Sequence, residues 1–395
     1  MLSRRLWLGC ILGAVPALFQ SQLPAAGPEW RTALPGWNYE FPADHGPHRA
    51  FKTEWWYFTG NLSDDDGHRY GYQFTLFRQG VRPPGGAPAG KSRFLVDAFY
   101  FGHFAVSEFS GGRFHFSQKL SRGAFGEAGD GDGSRLVWLE DWSVEQLENN
   151  RFRIRASMEA GGLVFDLESG RGWVVLGGGG ISPKSDRPGH ASHYYSGTRM
   201  KTAGELSVGG KVRRVSGESW FDHEWASNQL APGQVGWNWM SIQLSDGSDL
   251  MLYQMRLRDG GVDSGSNGTW IRPDGSSVFL KSSEYQMRPL RYWKSPQTGA
   301  CYPVEWEVEV PSMGVRIRVS TPMEKQELVM QPVVYWEGAV EASGSAMGAP
   351  VSGRGYLEMT GYAGALVGLT DPAGQVDGHP SRGSTGPEQG GQFLK

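Results

Sequence analysis

The sequence predicts an all-β protein built from antiparallel barrels, on three observations: apolar residues alternate with period two, turn signals separate the alternating runs, and helical periodicity is scarce. Tyr70, Tyr72, Phe74 and Leu76 share one strand face, and Phe152, Ile154 and Ala156 share another against Arg151, Arg153 and Arg155. Further β-type runs are read at Val96–Val106, Leu136–Val144, Leu163–Leu167, Trp173–Leu176, Trp239–Leu244, Leu250–Leu257, Pro303–Val310, Val315–Val319 and Tyr356–Tyr362. Asp66-Gly67, Ser110-Gly111-Gly112, Asp246-Gly247, Asp259-Gly260-Gly261 and Asp274-Gly275 supply hairpin corners, which accounts for many of the 58 glycines. So many strands in one open sheet would leave edges that aggregate, and closure into up-and-down barrels removes them.

Two β-rich halves, 30–227 and 228–365, meet near Asn228–Gly233, where Ala226–Gly233 lacks strand character. The stretch 366–395 is rich in Gly, Ser, Pro and Gln and is expected to be a disordered tail. Arg82–Gly90 and Gly126–Gly133 read as flexible surface loops. Residues 1–26 read as a signal peptide: Arg4 and Arg5, an apolar run from Leu6 to Phe19, then Ala25 and Ala26. That run falls short of the ~20 apolar residues of a membrane span. Ser3–Leu8 is similar to a twin-arginine signal with Trp7 in place of phenylalanine, so the expected location is periplasmic or secreted by the general or the twin-arginine route. A lipoprotein reading of Cys10 is weaker, because the cysteine lies inside the apolar run. Removal of Cys10 leaves Cys301 alone, and a chain of this size buries a large core without a disulfide.

A net charge of −3 carries no basic footprint, which argues against nucleic acid as a partner. His45-Gly46-Pro47-His48 and His190-Ala191-Ser192-His193 each bring two imidazoles together, yet neither has a Cys or carboxylate at a zinc spacing, so no metal and no cofactor is expected. The chain has no Gly-x-Ser-x-Gly elbow, and Gly177–Gly180 reads as a turn with no helix after it to hold a phosphate.

Two aromatic stretches carry carboxylates. In Glu54–Gly60, alternation sends Trp55 and Tyr57 to one face and Glu54, Trp56 and Phe58 to the other. If the second face is the barrel interior, desolvation raises the Glu54 pKa and makes it an acid; the alternative is a plain ion pair with Arg78. In Trp220–Trp225, Asp222 and Glu224 share a face, so they could hold one proton between them with His223 as relay and Trp220 and Trp225 facing a developing cation. The alternative is a polar plug paired to Arg213 or Arg214. Trp237, Trp239, Tyr253, Tyr285, Tyr292, Trp293, Tyr302, Trp306, Tyr335 and Trp336 spread through the second half, an apolar composition punctuated with donors that suits a ligand pocket.

Phe41–Gly46 leading to Glu54–Gly60, then Gly71–Arg78, Tyr194-Tyr195-Ser196, Trp220–Trp225, Gly236–Trp239, Leu250–Tyr253, Tyr335–Gly338 and Gly355–Tyr362, in that order, resembles the AttH-type, carotenoid-hydratase-like family over roughly residues 38–364. The resemblance implies two tandem lipocalin-like, calycin-type barrels. It also implies acid-catalysed hydration of an alkene, or an isomerase or cyclase relative of it, by a carboxylic acid beside Trp and Tyr. His223, Trp225 and Tyr253 fall where the hydratases have a His-x-Trp pair and a downstream tyrosine, and Met255 stands where their acid follows. The proton then has to come from Asp222, Glu224 or Glu54. The expected catalytic set is Glu54, Asp222, His223, Glu224 and Tyr253, with Trp55, Trp56, Tyr57, Tyr194, Trp225 and Trp239 around an apolar isoprenoid, lipid or polyketide-like ligand. A carrier that binds without chemistry, loaded through a transient membrane or transporter contact, and a secreted hydrolase are the alternatives.

Overall fold

The computed structural model describes residues 29–85, 95–148, 150–331 and 333–364. The leader expected at 1–26, the tail expected at 366–395 and positions 86–90 of the Arg82–Gly90 loop lie outside the described residues. Among the described residues the only helical elements are four three-residue 3-10 turns, the first at Ala43–His45.

The first sheet contains β1 (Thr53–Asp64), β2 (Arg69–Gly80), β3 (Ala98–Glu108), β4 (Arg113–Ser121), β5 (Ala128–Asp130), β6 (Arg135–Leu139), β7 (Trp142–Gln146), β8 (Arg151–Met158), β9 (Gly161–Ser169), β10 (Val174–Val175), β11 (Ile181–Pro183), β12 (Ala191–Val208) and β13 (Lys211–Ala226). Its order is β4-β3-β2-β1-β13-β12-β9-β8-β7-β6-β5, with β10 and β11 also on β12. β6 packs across against β2, β3 and β4, so this sheet is a nearly closed barrel. The second sheet contains β14 (Gln234–Leu244), β15 (Asp249–Leu257), β16 (Asn267–Ile271), β17 (Ser277–Lys281), β18 (Gln286–Lys294), β19 (Cys301–Val310), β20 (Val315–Ser320), β21 (Glu327–Val329), β22 (Val334–Ala346) and β23 (Ala349–Thr360). It runs β17-β16-β15-β14-β23-β22-β20-β19-β18 as a half-barrel, with β21 on β22. All named pairs are antiparallel, as expected of tandem lipocalin-like barrels.

Each sheet folds around its own apolar interior. Trp56, Phe58, Phe74, Trp142, Phe152 and Phe221 fill the first; Met240, Leu252, Trp306, Trp336 and Leu357 fill the second. A third buried cluster, with Tyr57, Tyr194, Trp220, Trp239, Tyr253 and Tyr356, lies between the sheets. The outer faces of β1, β2 and the second half of β13 are therefore dry as well, and Gln73 and Thr75 are as buried as their apolar neighbours Tyr72 and Phe74. Contact is close there because Gly71 has no side chain: a Cβ would come within 2.7 Å of the Tyr356 hydroxyl. Polar ties add to the join. Asp249 of the second sheet accepts from Thr198 at 2.7 Å, Arg171 at 2.6 Å and Arg199 at 2.7 Å, and His103 meets the Tyr335 hydroxyl at 2.9 Å.

Two local expectations are corrected. Leu136–Val144 is a hairpin and not one strand, because Glu140 turns the chain with φ 57° between β6 and β7. Gly126–Gly133 contains β5, whose backbone pairs with β6, so it is not simply a loop.

Candidate functional site

β1 and β13 pair with Glu54 opposite Trp225, Trp55 opposite Glu224, Trp56 opposite His223 and Tyr57 opposite Asp222. β12 extends both rows, placing Tyr194 beside Glu224, Ser196 beside Asp222 and Tyr195 beside His223. Because side chains alternate across a strand, this patch has two working faces. Trp55, Tyr57, Asp222, Glu224 and Tyr194 face the second sheet. Glu54, Trp56, His223, Trp225 and Tyr195 face the barrel interior.

The outward face forms one wall of a cavity of about 440 Å³ between the sheets. The opposite wall comes from β14, β15 and β23, where Trp239 lies between Tyr253 and Glu358 in register. The sequence-predicted residues Trp55, Tyr57, Tyr194, Asp222, Glu224, Trp239 and Tyr253 all reach the cavity, and so does Met255. Trp56, Trp225, Glu54 and His223 do not line it; both indoles are fully buried inside the first barrel. His223 consequently cannot relay a proton between Asp222 and Glu224, since strand alternation points it away from both.

Asp222 is buried and accepts from three donors: Tyr194 Oη at 2.6 Å, Ser196 Oγ at 2.5 Å and Trp220 Nε1 at 2.6 Å. Burial nevertheless outweighs these hydrogen bonds and pushes its pKa up to about 7. Tyr194 in turn accepts from Trp239 Nε1 at 3.2 Å, which joins the two walls. Glu224 is held by Lys184 Nζ at 2.7 Å and by the Ser192 hydroxyl, and the same ammonium sits 4.4 Å from the centre of the Tyr253 ring. Neither cation named for a polar plug reaches these carboxylates: Arg213 pairs with Asp64 at 2.8 Å, and Arg214 is exposed. The Tyr253 hydroxyl donates to the Pro183 carbonyl and accepts from Asn267 at 2.5 Å, so its ring, rather than its O–H, is what it offers the cavity.

Glu358 is the residue sequence reading missed. It lines the cavity, accepts from Trp237 Nε1 at 3.1 Å, and burial, reinforced by Asp222 and Glu224, raises its pKa to about 7. Directly across the ladder, Glu337 is buried and is pushed well above the carboxylate range by burial and by Glu358. Alternation within Tyr356-Leu357-Glu358-Met359-Thr360 was the available signal, since it sets Glu358 on one face with Tyr356, away from Leu357 and Met359 of the second core.

The inward face has opposite electrostatics. Glu54 is fully buried, yet its pKa falls to about 2: burial alone would raise it, but His48 and His223 together more than offset that. His48 Nδ1 lies 2.7 Å and His223 Nε2 3.0 Å from Glu54 Oε1, and the His48 backbone N–H donates to Oε2 at 2.8 Å. Arg78, the partner expected from sequence, stays 3.9 Å away and donates to backbone carbonyls. His48 also stacks on Trp225 at 3.6 Å. The supporting carboxylate absent from the local spacing of the histidines is thus supplied by the fold: His48, Glu54 and His223 bring three ligand atoms within 4.8 Å of one another. His45 instead meets the Tyr195 hydroxyl at 2.6 Å.

A family model described as AttH-like matches residues 32–362. The fold is similar to the crystal structure of an AttH protein from Nitrosomonas europaea, at 33% identity and TM-score 0.76, covering 84% of this chain and 99% of that one. It is also similar to kievitone hydratase from Nectria haematococca, at 15% identity and TM-score 0.65, covering 82% of this chain and 93% of that one. By sequence, kievitone hydratase of Fusarium solani subsp. phaseoli is 24% identical over 165 residues, 40% of this chain and 46% of that relative, so the match spans under half of the relative's length.

Proposed function

The chain belongs to the AttH-like family, and from that premise we propose that it is an exported, acid-catalysed hydratase acting on an apolar alkene held between its two sheets. The observation that carries this reading is the pair Asp222 and Glu358: a buried and a half-buried carboxyl, each with a pKa of about 7, on a cavity walled by Trp55, Tyr57, Tyr194, Trp237, Trp239 and Tyr253. An acid poised near neutral pH keeps its proton in the resting site and can still give it up. Glu358, with a single indole N–H as partner, is the proton donor. Asp222, with three donors stabilising its anion, is the acceptor.

Glu358 transfers its proton to one alkene carbon, and the cation at the other carbon is stabilised by the faces of the neighbouring indole and phenol rings. Water adds to that carbon and gives its second proton to Asp222, which returns it to Glu358 through solvent. Lys184 keeps Glu224 engaged in an ion pair, so Glu224 shapes the local charge without sharing the proton transfer. Kievitone hydratase is by its name a hydratase, and the shared fold supports this reading of the cavity. Export is supported by the order of Arg4, Arg5, the apolar run and Ala25-Ala26.

The test is mass spectrometry of apolar molecules extracted from wild-type chain, Glu358→Gln and Asp222→Asn, each produced in the native host. The expected result is a product heavier by one water from the wild type and the unhydrated precursor trapped on the variants. The same unaltered molecule on all three would make the protein a carrier.

A further inference from the structure

The inward face of β1 and β13 contains a hydrogen-bonding conflict that the hydratase reading does not use. His223 Nδ1 lies 2.9 Å from the Asp44 carbonyl, which can only accept, so that nitrogen carries the proton. His48 Nε2 lies 3.0 Å from Asp44 Oδ1, and it too is the donor to a carboxylate. Each imidazole has thereby spent its outer N–H, and the two inner nitrogens aim their lone pairs at one oxygen, Glu54 Oε1, from 2.7 and 3.0 Å. Relieving this with protons alone takes two further protons around one carboxylate oxygen, either as two imidazolium rings 5.5 Å apart or as one imidazolium beside a protonated Glu54.

A single cation relieves both contacts at once. Metal-bound histidines give their other N–H to a carboxylate or a backbone carbonyl, which is what Asp44 provides to His48 and His223 respectively. A tetrahedral zinc ion with bonds of about 2.0–2.1 Å sets its donors about 3.3 Å apart; the two contacts to Glu54 Oε1 lie at 2.7 and 3.0 Å, and all three ligand atoms lie within 4.8 Å of one another. We infer that His48, Glu54 and His223 form a binding site for one divalent cation of the zinc class, which fastens the segment ahead of β1 to the barrel interior. The site is structural: it lies on the face of the strands turned away from the cavity, with Trp225 and Trp56 packed on its imidazoles.

The experiment uses the full chain without a polyhistidine tag, stripped with chelator and titrated with Co(II) or Zn(II) alone. The expected result is one ion per chain, visible Co(II) ligand-field bands of low-symmetry four-coordination, and a rise in melting temperature with Zn(II). His223→Gln should weaken cobalt binding by at least about a hundredfold and remove the bands. His48→Gln, ahead of the barrel strands, is the second variant if His223→Gln fails to fold. His68→Ala should leave bands and melting shift intact, because Asp64, Asp66 and His68 are a separate, partly exposed cluster. No retained ion, bands that survive both His48→Gln and His223→Gln, or bands lost in His68→Ala would each overturn the inference.

Discussion

The two faces of β1 and β13 carry carboxylates of opposite character, although the residues alternate along the same strands. On the inward face Glu54 is ionised down to a pKa of about 2, because two histidines and a backbone N–H converge on it. On the outward face Asp222, like Glu358 across the cavity, is raised to about 7, because burial there outweighs their neutral donors and, at Glu358, the Lys184 ammonium. Glu54 and Asp222 are both buried, so burial alone does not decide the shift. The sign follows how strongly the surrounding groups favour the anion. The inward face thus fixes the segment ahead of the barrel, and the outward face keeps removable protons beside an apolar space.

The comparison is most sharply broken by moving chemistry from one face to the other. Glu358→Gln should lower turnover by about 10²- to 10⁴-fold with ligand affinity nearly unchanged, and Asp222→Asn should act similarly, both read by steady-state kinetics against ligand titration. Equal losses of turnover per folded molecule in Glu54→Gln would erase the distinction between the faces. The main effect expected of Glu54→Gln is on stability, about 1–3 kcal/mol in urea unfolding, because it removes the buried carboxylate on which His48 and His223 converge.

The pH dependence of stability should also differ in sign. Asp222 and Glu358 have folded pKa values above the unfolded ones, so the native state binds more protons: their contribution is fully present below about pH 4 and lost as pH rises through about 7. Glu54 is depressed, so its contribution is present above the ordinary carboxylate range and lost as pH falls toward 2. Urea midpoints measured across pH should show the neutral-range slope flatten in the Asp222→Asn, Glu358→Gln double variant while the acid slope persists. The smallest effect on the rate profile belongs to Lys184→Met. Lys184 holds the Glu358 pKa down, so its removal should displace the alkaline limb slightly to higher pH, alongside a loss of stability from leaving Glu224 buried without its ammonium.

Much of this arrangement was legible in the sequence, and the rest was hidden for identifiable reasons. Alternation correctly separated Trp55 and Tyr57 from Glu54, Trp56 and Phe58, and put Asp222 with Glu224. It could not say which face met the cavity, because the second sheet dries the outer face as thoroughly as the barrel dries the inner one. The lengths of β12 and β13, 18 and 16 residues, were obscured for the same reason: with both faces buried in places, the polar half of the pattern disappears. Glu54 was read as a raised acid since neither His48, six residues earlier, nor His223, 169 residues later, could be placed beside it from spacing. Glu358 carried only the weak signal of sharing a strand face with Tyr356.

The contrast between the faces is tested most directly by isotope-edited infrared titration of the carboxyl groups, assigned through Asp222→Asn, Glu358→Gln and Glu54→Gln. The predicted result is protonated carboxyl bands for Asp222 and Glu358 that vanish near pH 7, with Glu54 ionised at every pH down to about 2. Cavity carboxyls that are already ionised at about pH 5, or a Glu54 that titrates with them, would contradict the account.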